Sequence, residues 1–535
     1  MNQEREFATV RSQHGMVVCP HYLASQAGIQ TLQQGGNAVD AAIAVQAALG
    51  VVYPHMTGLG GDAFWLIYDA KTRSLQGLNG SGRAAEKATQ TFYTKQGYAE
   101  IPQRGPLSAI TIPGAVDSWH QAHQRGGRLS WQALLRPAIA LAEEGYPVTG
   151  SQVHWTRRDQ PFLQQHTPMP CPFLPQDAVP TPGTILKNPD LAQTLRTLAA
   201  EGAAAFYQGA IAAQIVDHLS SIGGLLTATD FANHHADWVE PIQVTYRGYS
   251  VAELPPNSQG FTVLQMLNLI EPFDLQQIGH GTVDYYHLLV EVTKLAFADR
   301  DRWLSDPDFV KIPTAKLISK AYGDRCRSQL QWEKAGSYQA ENMGGDTVYT
   351  AVTDSEGNAV SVIQSLYFDF GSTVVVPGTG FALQNRGSSF FLDSEHARCL
   401  APYKRPFHTL MPAMVLHPDG KLHYVLGTMG GEGQPQTQLA LLTRTLDFGF
   451  HPQEAINQPR WLWGRTWGEA VTGLLLEGRI TPEVRQGLID RGHPVTVAPD
   501  WTEKMGHAHM IRYCPGTREY QGGCDPRSDG AAIGL

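Results

Sequence analysis

Two kinds of hydrophobic spacing alternate along the 535-residue chain, and each predicts a different kind of element. In residues 27–52, AGIQTLQQGGNAVDAAIAVQAALGVV, apolar residues recur at helical spacing on both sides of Gly-Gly-Asn, which predicts two packed helices. A glycine-rich loop, a strand, a turn at Ala70–Arg73 and a second strand are expected next. Residues 130–330 are predicted to be mostly helical, with a Pro- and Gln-rich surface loop at 161–186. This order favours an α/β fold.

The pattern changes near residue 335. Residues 334–346, KAGSYQAENMGGD, are polar and weakly periodic, which predicts an exposed, mobile segment. Residues 347–367 contain two alternating runs around DSEGN and predict a β-hairpin. If Thr353 pairs with Ala359, Thr347 lies opposite Ser365, so two hydroxyl groups meet on the polar face at the open end of the hairpin. The other face is predicted to be apolar and to carry Val348, Val352, Val360, Val362 and Leu366.

Composition narrows the class of protein. Hydrophobic residues make up 42% of the chain and charged residues only 17%, which indicates a globular protein. No internal repeat and no linker divides the chain, so we expect one large folding unit. The net charge of −9, without a basic run, argues against nucleic acid or an anionic membrane as partner. No segment reaches the ~18 apolar residues of a membrane span and no secretory signal is visible, so a cytoplasmic protein acting on a small molecule is predicted.

On spacing alone, a threonine at the start of a strand carries no catalytic signal. However, GGDTVYTAVTDSEGNAVSVIQSL resembles the self-cleavage site of the gamma-glutamyltransferase family of N-terminal-nucleophile hydrolases. Further blocks resemble the same family in order along nearly the whole chain, among them GGNAVDAAIAV, GLGGDAF, KRPFHTLMPAM, LGTMGGEG and GGCDPRSDG. The resemblance implies an αββα four-layer sandwich with an additional helical region. It also implies self-cleavage between Asp346 and Thr347, giving a large chain (1–346) and a small chain (347–535) that stay together as one folding unit.

The resemblance also implies the catalytic groups. After cleavage, Thr347 supplies both the attacking hydroxyl and, through its free α-amine, the base that activates this hydroxyl. The α-amine has an ordinary pKa of about 7.7–8.0, which suits a base at neutral pH. Gly430 and Gly431 match the family's oxyanion-binding glycines, and Ser365 matches a hydroxyl that contacts the nucleophile. Neither a cofactor nor a metal is required.

The positions expected to bind substrate depart from the gamma-glutamyltransferase pattern. The family residues that hold the substrate α-amino group are replaced here by Tyr367, Arg386 and Ser389, and its paired serines by His408 and Thr409. The family's carboxylate-binding arginine is out of register, because Arg83 lies two residues beyond its position. A pocket with an arginine and without an acid favours a carboxylate. Arg83 and Arg386 are both candidates to bind it, with ordinary salt bridges as the alternative, and His408 is expected to contact the carboxylate or orient water.

These changes predict an amidohydrolase for a small carboxylate amide. The best candidate is oxamate, hydrolysed to oxalate and ammonia, as in the oxamate amidohydrolases of this family that act in purine-nitrogen breakdown. The alternatives are a gamma-glutamyl hydrolase or transferase for glutathione-like substrates, a cephalosporin-acylase-like amidase, and an inactive relative used for binding. The expected partners are the substrate and the two chains of one precursor, with a homo-oligomer of the two-chain unit also possible.

Overall fold

The computed structural model describes residues 7–337, 346–464 and 473–535, and its elements follow the two hydrophobic periods of the sequence. The strands are β1 (Val10–Ser12), β2 (Gly15–Cys19), β3 (Asp62–Asp69), β4 (Ser74–Gly80), β5 (Tyr146–Pro147), β6 (Ile185–Leu186), β7 (Asp237–Val239), β8 (Ile242–Tyr246), β9 (Tyr249–Glu253), β10 (Asp346–Asp354), β11 (Ala359–Tyr367), β12 (Ala413–Leu416), β13 (Leu422–Thr428), β14 (Trp461–Trp463), β15 (Leu474–Glu477), β16 (Val495–Ala498), β17 (Ala508–Cys514), β18 (Glu519–Cys524) and β19 (Ala531–Gly534). The helices are α1 (Tyr22–Gln33), α2 (Ala38–Val52), α3 (Gln90–Lys95), α4 (Ala115–Gly126), α5 (Trp131–Glu144), α6 (Gly150–His166), α7 (Pro189–Glu201), α8 (Ala204–Tyr207), α9 (Ala210–Ser221), α10 (Ala228–Ala232), α11 (Gly260–Ile270), α12 (Leu275–Ile278), α13 (Val283–Trp303), α14 (Thr314–Leu317), α15 (Lys320–Arg327), α16 (Gln434–Leu446), α17 (Pro452–Asn457) and α18 (Pro482–Asp490).

Two antiparallel sheets form the centre of the molecule. One has the strand order β1-β18-β17-β13-β12-β9-β8, and the other has the order β19-β2-β10-β11-β3-β4-β7. Their facing surfaces pack through apolar side chains such as Phe64, Ile363, Met414 and Val425. Each sheet therefore buries one face against the other sheet, and its second face needs a layer of helices.

Helices cover both outer faces. Helices α1, α2, α4 and α5 share a hydrophobic core with the sheet that contains β10 and β11. Helices α11, α13 and α16 share another core with the sheet that contains β12 and β13. The result is the expected αββα four-layer sandwich, with further helices from the first 330 residues packed around it. In the described ranges, no helix is both long and apolar enough to cross a bilayer.

Local sequence signals explain where the first elements begin. Asn37 caps α2 by accepting the Asp40 N–H at 3.0 Å, and the Asp40 carboxylate accepts the Asn37 N–H at 3.1 Å. This reciprocal pair satisfies two N–H groups that a helix start leaves free. The predicted helix pair and the strand pair joined by a turn at Ala70–Arg73 are confirmed.

The surface loop predicted at residues 161–186 is wrong in part. Helix α6 continues to His166, and Cys171, Phe173 and Leu174 are buried in the core beside it. The proline and glutamine content of the segment indicated a solvent-exposed loop, but its few apolar side chains pack into the core. Residues 130–330 are mostly helical as predicted, although β7, β8 and β9 interrupt the helices. The polar segment at 334–346 lies largely outside the described residues, so its predicted mobility stays a prediction.

The hairpin of β10 and β11 has the predicted register over most of its length. Thr353 pairs with Ala359 and Val348 with Gln364, and the predicted apolar face belongs to the core under the helices. The register shifts at the open end, where Asp346 pairs with Tyr367. The predicted one-to-one pairing of Thr347 with Ser365 is therefore wrong, because Ser365 and Leu366 of β11 both lie opposite Thr347 of β10. Such a bulge bends the strand and changes where its side chains point.

Candidate active site

Thr347 lies in this bulge and is completely buried. Strand β10 begins at Asp346 and ends at Asp354, so Thr347 is its second residue. The hydroxyl of Thr347 accepts a long hydrogen bond, 3.5 Å, from Nε2 of Gln434, the first residue of α16. The bulge thus places Thr347 between the end of β11 and the beginning of a helix.

Ser365 and Arg386 form the next part of the site. The Ser365 hydroxyl accepts the Tyr367 N–H at 2.7 Å and an N–H of Arg386 at 3.3 Å. The second terminal nitrogen of Arg386 donates to the Thr409 hydroxyl at 3.3 Å, and the guanidinium lies 4.1 Å from the centre of the Tyr367 ring. The structure therefore brings together four of the predicted residues, Ser365, Tyr367, Arg386 and Thr409.

Arg386 is a buried cation without an ion-pair partner among the described residues. Its Nε also has no hydrogen-bond partner in the described ranges. Burial lowers the pKa of Arg386 to about 10, because the charged form loses its hydration. A buried arginine is normally paired with an acid, so this one is available to an anion that enters the site.

Asp62 contacts several groups of the same region, and it is not among the site residues predicted from the sequence. It pairs with Ser365 in the β3–β11 ladder and is fully buried. One carboxylate oxygen accepts the N–H groups of Gly82 and Gly114 and the side-chain amide of Gln384, at 3.0–3.1 Å. The other lies 2.8 Å from Nε2 of His408. Asp62 belongs to the GLGGDAF block, for which the sequence indicated a glycine-rich loop and a resemblance to the family but no role for the carboxylate.

His408 is positioned by the backbone of residues 257–259. Its N–H donates to the Asn257 carbonyl at 2.9 Å, and its own carbonyl accepts the Gln259 N–H at 3.0 Å. Burial, together with the charge of Arg386, lowers the pKa of His408 to about 3, so the ring is neutral. The Asp62 carboxylate can only accept, which assigns the ring proton to Nε2. Nδ1 is then an acceptor, and it has no partner among the described residues.

Gly430 and Gly431 form a tight turn just before α16. Their φ angles are 124° and 53°, in the region that favours glycine. The carbonyl of Met429 accepts the Thr428 hydroxyl at 2.6 Å, and the carbonyl of Gly430 accepts the Gly433 N–H at 2.8 Å. Within the described residues, neither the Gly430 nor the Gly431 N–H donates to another protein group. These two N–H groups, which have no acceptor within the described ranges and lie just before a helix, are suited to bind an anion.

Two predicted residues lie outside this cluster of contacts. Ser389 donates its hydroxyl to the carbonyl of Arg386 at 2.8 Å and so stabilises the turn that carries this arginine. Arg83 is partly exposed and lies 3.5 Å from Asp237 and 3.6 Å from Asp308, so its charge is already balanced. Of the two arginines, Arg386 is the one that forms no ion pair with the residues that the structure describes.

One cluster has side chains of the metal-ligating type. The ligand atoms of His287, Glu291 and His493 all lie within 4.8 Å of one another. These groups already bond to neighbours: His287 Nδ1 is 2.8 Å from His493 Nε2, its Nε2 is 2.6 Å from the Gln331 carbonyl, and Glu291 is 2.7 Å from the ammonium of Lys294. The Lys294 ammonium beside Glu291 repels a second cation, such as a metal ion, from this carboxylate. We therefore assign these contacts a structural role.

The family comparison agrees with this fold. Residues 24–535 match the model of the gamma-glutamyltranspeptidase family, so the chain belongs to that family and is an N-terminal-nucleophile amidohydrolase made as a self-processing precursor. It is 49% identical over 520 residues to the "Glutathione hydrolase-like YwrD proenzyme" of Bacillus subtilis, covering 97% of this chain and 98% of that one. It is 40% identical to the "Oxamate amidohydrolase proenzyme" of Klebsiella pneumoniae, covering 98% and 99%. A crystal structure of cephalosporin acylase from Bacillus halodurans superposes with a TM-score of 0.92 at 37% identity, covering 99% of this chain and 97% of the other.

Proposed function

We propose that Thr347 is the nucleophile of this enzyme and that the precursor cuts itself between Asp346 and Thr347. Thr347 attacks the Asp346 carbonyl through its hydroxyl oxygen, the peptide bond becomes an ester, and water hydrolyses this ester. The products are a large chain of residues 1–346 and a small chain of residues 347–535. The proposal is supported by the complete burial of Thr347 in the bulge, where main chain, Ser365 and the start of α16 meet.

The mature enzyme uses the same hydroxyl on its substrate. The α-amine of Thr347 takes the hydroxyl proton while the oxygen attacks the substrate amide carbonyl. The N–H groups of Gly430 and Gly431 stabilise the oxyanion that forms. The amine or ammonia leaves with the proton, and an ester to Thr347 remains. Water then attacks the ester, the acid is released, and the threonine hydroxyl is restored.

The assignment of the substrate rests on Arg386. Its charge lies adjacent to Ser365 and forms no ion pair within the described ranges, which suits a substrate carboxylate close to the reacting carbonyl. In oxamate the carboxylate is bonded directly to the amide carbonyl, so this molecule meets the requirement. The proposed reaction is oxamate and water to oxalate and ammonia. Purine-nitrogen breakdown as the setting and the cytoplasm as the location belong to the same proposal.

The role of His408 follows from its protonation. With its proton directed at Asp62, the ring has no donor for a substrate carboxylate. Of the two roles expected from the sequence, contact with the carboxylate is therefore disfavoured. An acceptor at Nδ1 fits the second role, because it can accept a hydrogen from the attacking water or from the substrate amide.

A second candidate is hydrolysis of a gamma-glutamyl amide, which the name of the 49% identical relative favours. Arg386 and Ser389 stand where that chemistry would need groups that bind an ammonium, and this argues against it. A third candidate is cleavage of a carboxyacyl cephalosporin, since the acylase shares the fold along the whole chain.

A substrate panel tests the three candidates. Ammonia release from oxamate, nitroaniline release from gamma-glutamyl-p-nitroanilide and cleavage of a carboxyacyl cephalosporin are measured with the same matured preparation. We expect kcat/KM to be highest for oxamate. Efficient turnover of the anilide, without turnover of oxamate, would reject the substrate assignment.

A further inference from the structure

Gln259 lies in the loop before α11, where it touches both halves of the site. Its side chain is fully buried, and Nε2 donates to the carbonyl of Thr409 at 2.9 Å and to the carbonyl of Gly431 at 3.1 Å. Its Oε1 accepts from Arg300 at 3.3 Å. Because an arginine has only donors, this contact fixes which end of the amide is the oxygen. Gln259 therefore uses both of its N–H groups to join the substrate pocket to the glycine turn.

The contact with Gly431 closes a ring of buried polar groups. Arg300 pairs with the carboxylate of Glu432 at 2.7 Å, and Glu432 follows Gly431 in the chain. In the mature enzyme proposed above, Gln259 and Arg300 belong to the large chain, and Gly431 and Glu432 to the small chain. The ring connects the two chains through noncovalent bonds that the cut between Asp346 and Thr347 does not touch.

Fixed carbonyls determine where the neighbouring N–H groups point. In a planar trans peptide unit the C=O and N–H bonds point in opposite directions. Thr428 and Gly433 hold the carbonyls of Met429 and Gly430, and these two peptide units carry the N–H groups of Gly430 and Gly431. Gln259 holds the third carbonyl, that of Gly431, whose peptide unit carries the N–H of Glu432, and so fixes the peptide unit that follows the two glycines. The turn has two successive residues without a side chain, so contacts from outside it must limit its rotation.

We propose that Gln259 is a positioning residue for catalysis, which limits the rotation of the turn that carries the N–H groups of Gly430 and Gly431 and sets the distance of this turn from the pocket at Thr409. The proposal rests on the proposed function, because it takes these two glycines as the oxyanion donors. Gln259 acts through the turn and does not itself touch the substrate. Its loss is therefore expected to lower kcat and to leave KM nearly unchanged.

The test compares two buried glutamines. Gln259→Met keeps the approximate volume and removes both donors. Gln438→Met is the matched control, because the buried Gln438 side chain donates to another backbone carbonyl, that of Met411, at 2.6 Å. Both variants lose a buried hydrogen bond to a carbonyl, so both melting temperatures are expected to fall. Removal of one oxyanion donor typically lowers kcat by 10²–10³-fold. A displacement of the Gly430 and Gly431 N–H groups is therefore expected to lower kcat by about 10-fold or more in Gln259→Met, and not in Gln438→Met.

The proposal is tested by activity assays, and either of two results would overturn it. The assays use full-length protein that a denaturing gel shows to be two chains, with oxamate, gamma-glutamyl-p-nitroanilide and p-nitrophenyl acetate as probes. A kcat of Gln259→Met equal to that of Gln438→Met would overturn the proposal, as would a loss confined to KM. If the Met variant does not accumulate, Gln259→Glu keeps the oxygen for Arg300 and is expected to show the same fall in kcat. If only oxamate fails as a probe, the substrate assignment fails and the test proceeds with the others.

Discussion

The Arg386→Met variant tests two properties of this residue separately: its effect on the free energy of unfolding and its role in binding the substrate. Burial lowers the pKa of Arg386 from 12.5 to about 10, a difference that corresponds to about 3 kcal/mol. The folded state therefore disfavours the charged form, while at pH 7 the side chain is charged both folded and unfolded. The variant also loses two 3.3 Å hydrogen bonds and a ring contact, together about 1–2 kcal/mol. We expect the free energy of unfolding to be unchanged or about 1–2 kcal/mol higher.

The same substitution, Arg386→Met, is expected to lower the activity. Loss of the charge-assisted hydrogen bonds to a substrate carboxylate is expected to cost about 3 kcal/mol, or about 100-fold in kcat/KM. The assay measures ammonia release from oxamate and from acetamide, which lacks the carboxylate, and thermal unfolding is recorded on the same samples. The preference for oxamate over acetamide should collapse in Arg386→Met.

The control for this experiment is Arg83→Met, because Asp237 and Asp308 already balance the charge of Arg83. This variant should keep the preference for oxamate. A wild-type preference in Arg386→Met, or a collapse of the preference in Arg83→Met instead, would contradict the proposed binding role of Arg386.

Three further predictions concern processing, the oxyanion turn and the core. Thr347→Ala is expected to remain a single 58.5 kDa chain on a denaturing gel, whereas the wild type gives two bands; two bands from the variant would exclude Thr347 as the cleaving group. In Gly430→Ala the new Cβ would lie 3.3 Å from the Gly506 Cα at a φ of 124°, so we expect kcat to fall at least 100-fold, and a wild-type kcat would contradict the assigned role of the turn. Burial raises the pKa of Glu253 well above its usual range, so the folded protein keeps this proton and loses stability as the pH rises above about 4.5. Glu253→Gln should therefore melt above the wild type by a margin that grows between pH 5 and 8, and a margin independent of pH would contradict this assignment.

The sequence by itself determined the elements and the family. Helical spacing with a capping Asn predicted α1 and α2, and alternation predicted the hairpin and its buried face, because these periods reflect how side chains project from each element. The ordered motif blocks indicated the family and the αββα sandwich, which the fold and the comparisons confirm. The loss of an acid and the gain of Arg386 also needed only the sequence.

Only the tertiary structure decided how these residues meet. The bulge that separates Thr347 from direct pairing with Ser365 leaves no signal in the alternation, which continues through it. The neutral state of His408 depends on burial and on the charge of Arg386, and the position of its ring proton depends on Asp62, which is 346 positions away in the chain. The choice between Arg83 and Arg386 depends on which carboxylates lie nearby, and Gln259 gains its contacts from three distant segments. Local periodicity determines which way a side chain points from its own element, whereas charge compensation and hydrogen bonding depend on neighbours that only the folded chain brings together.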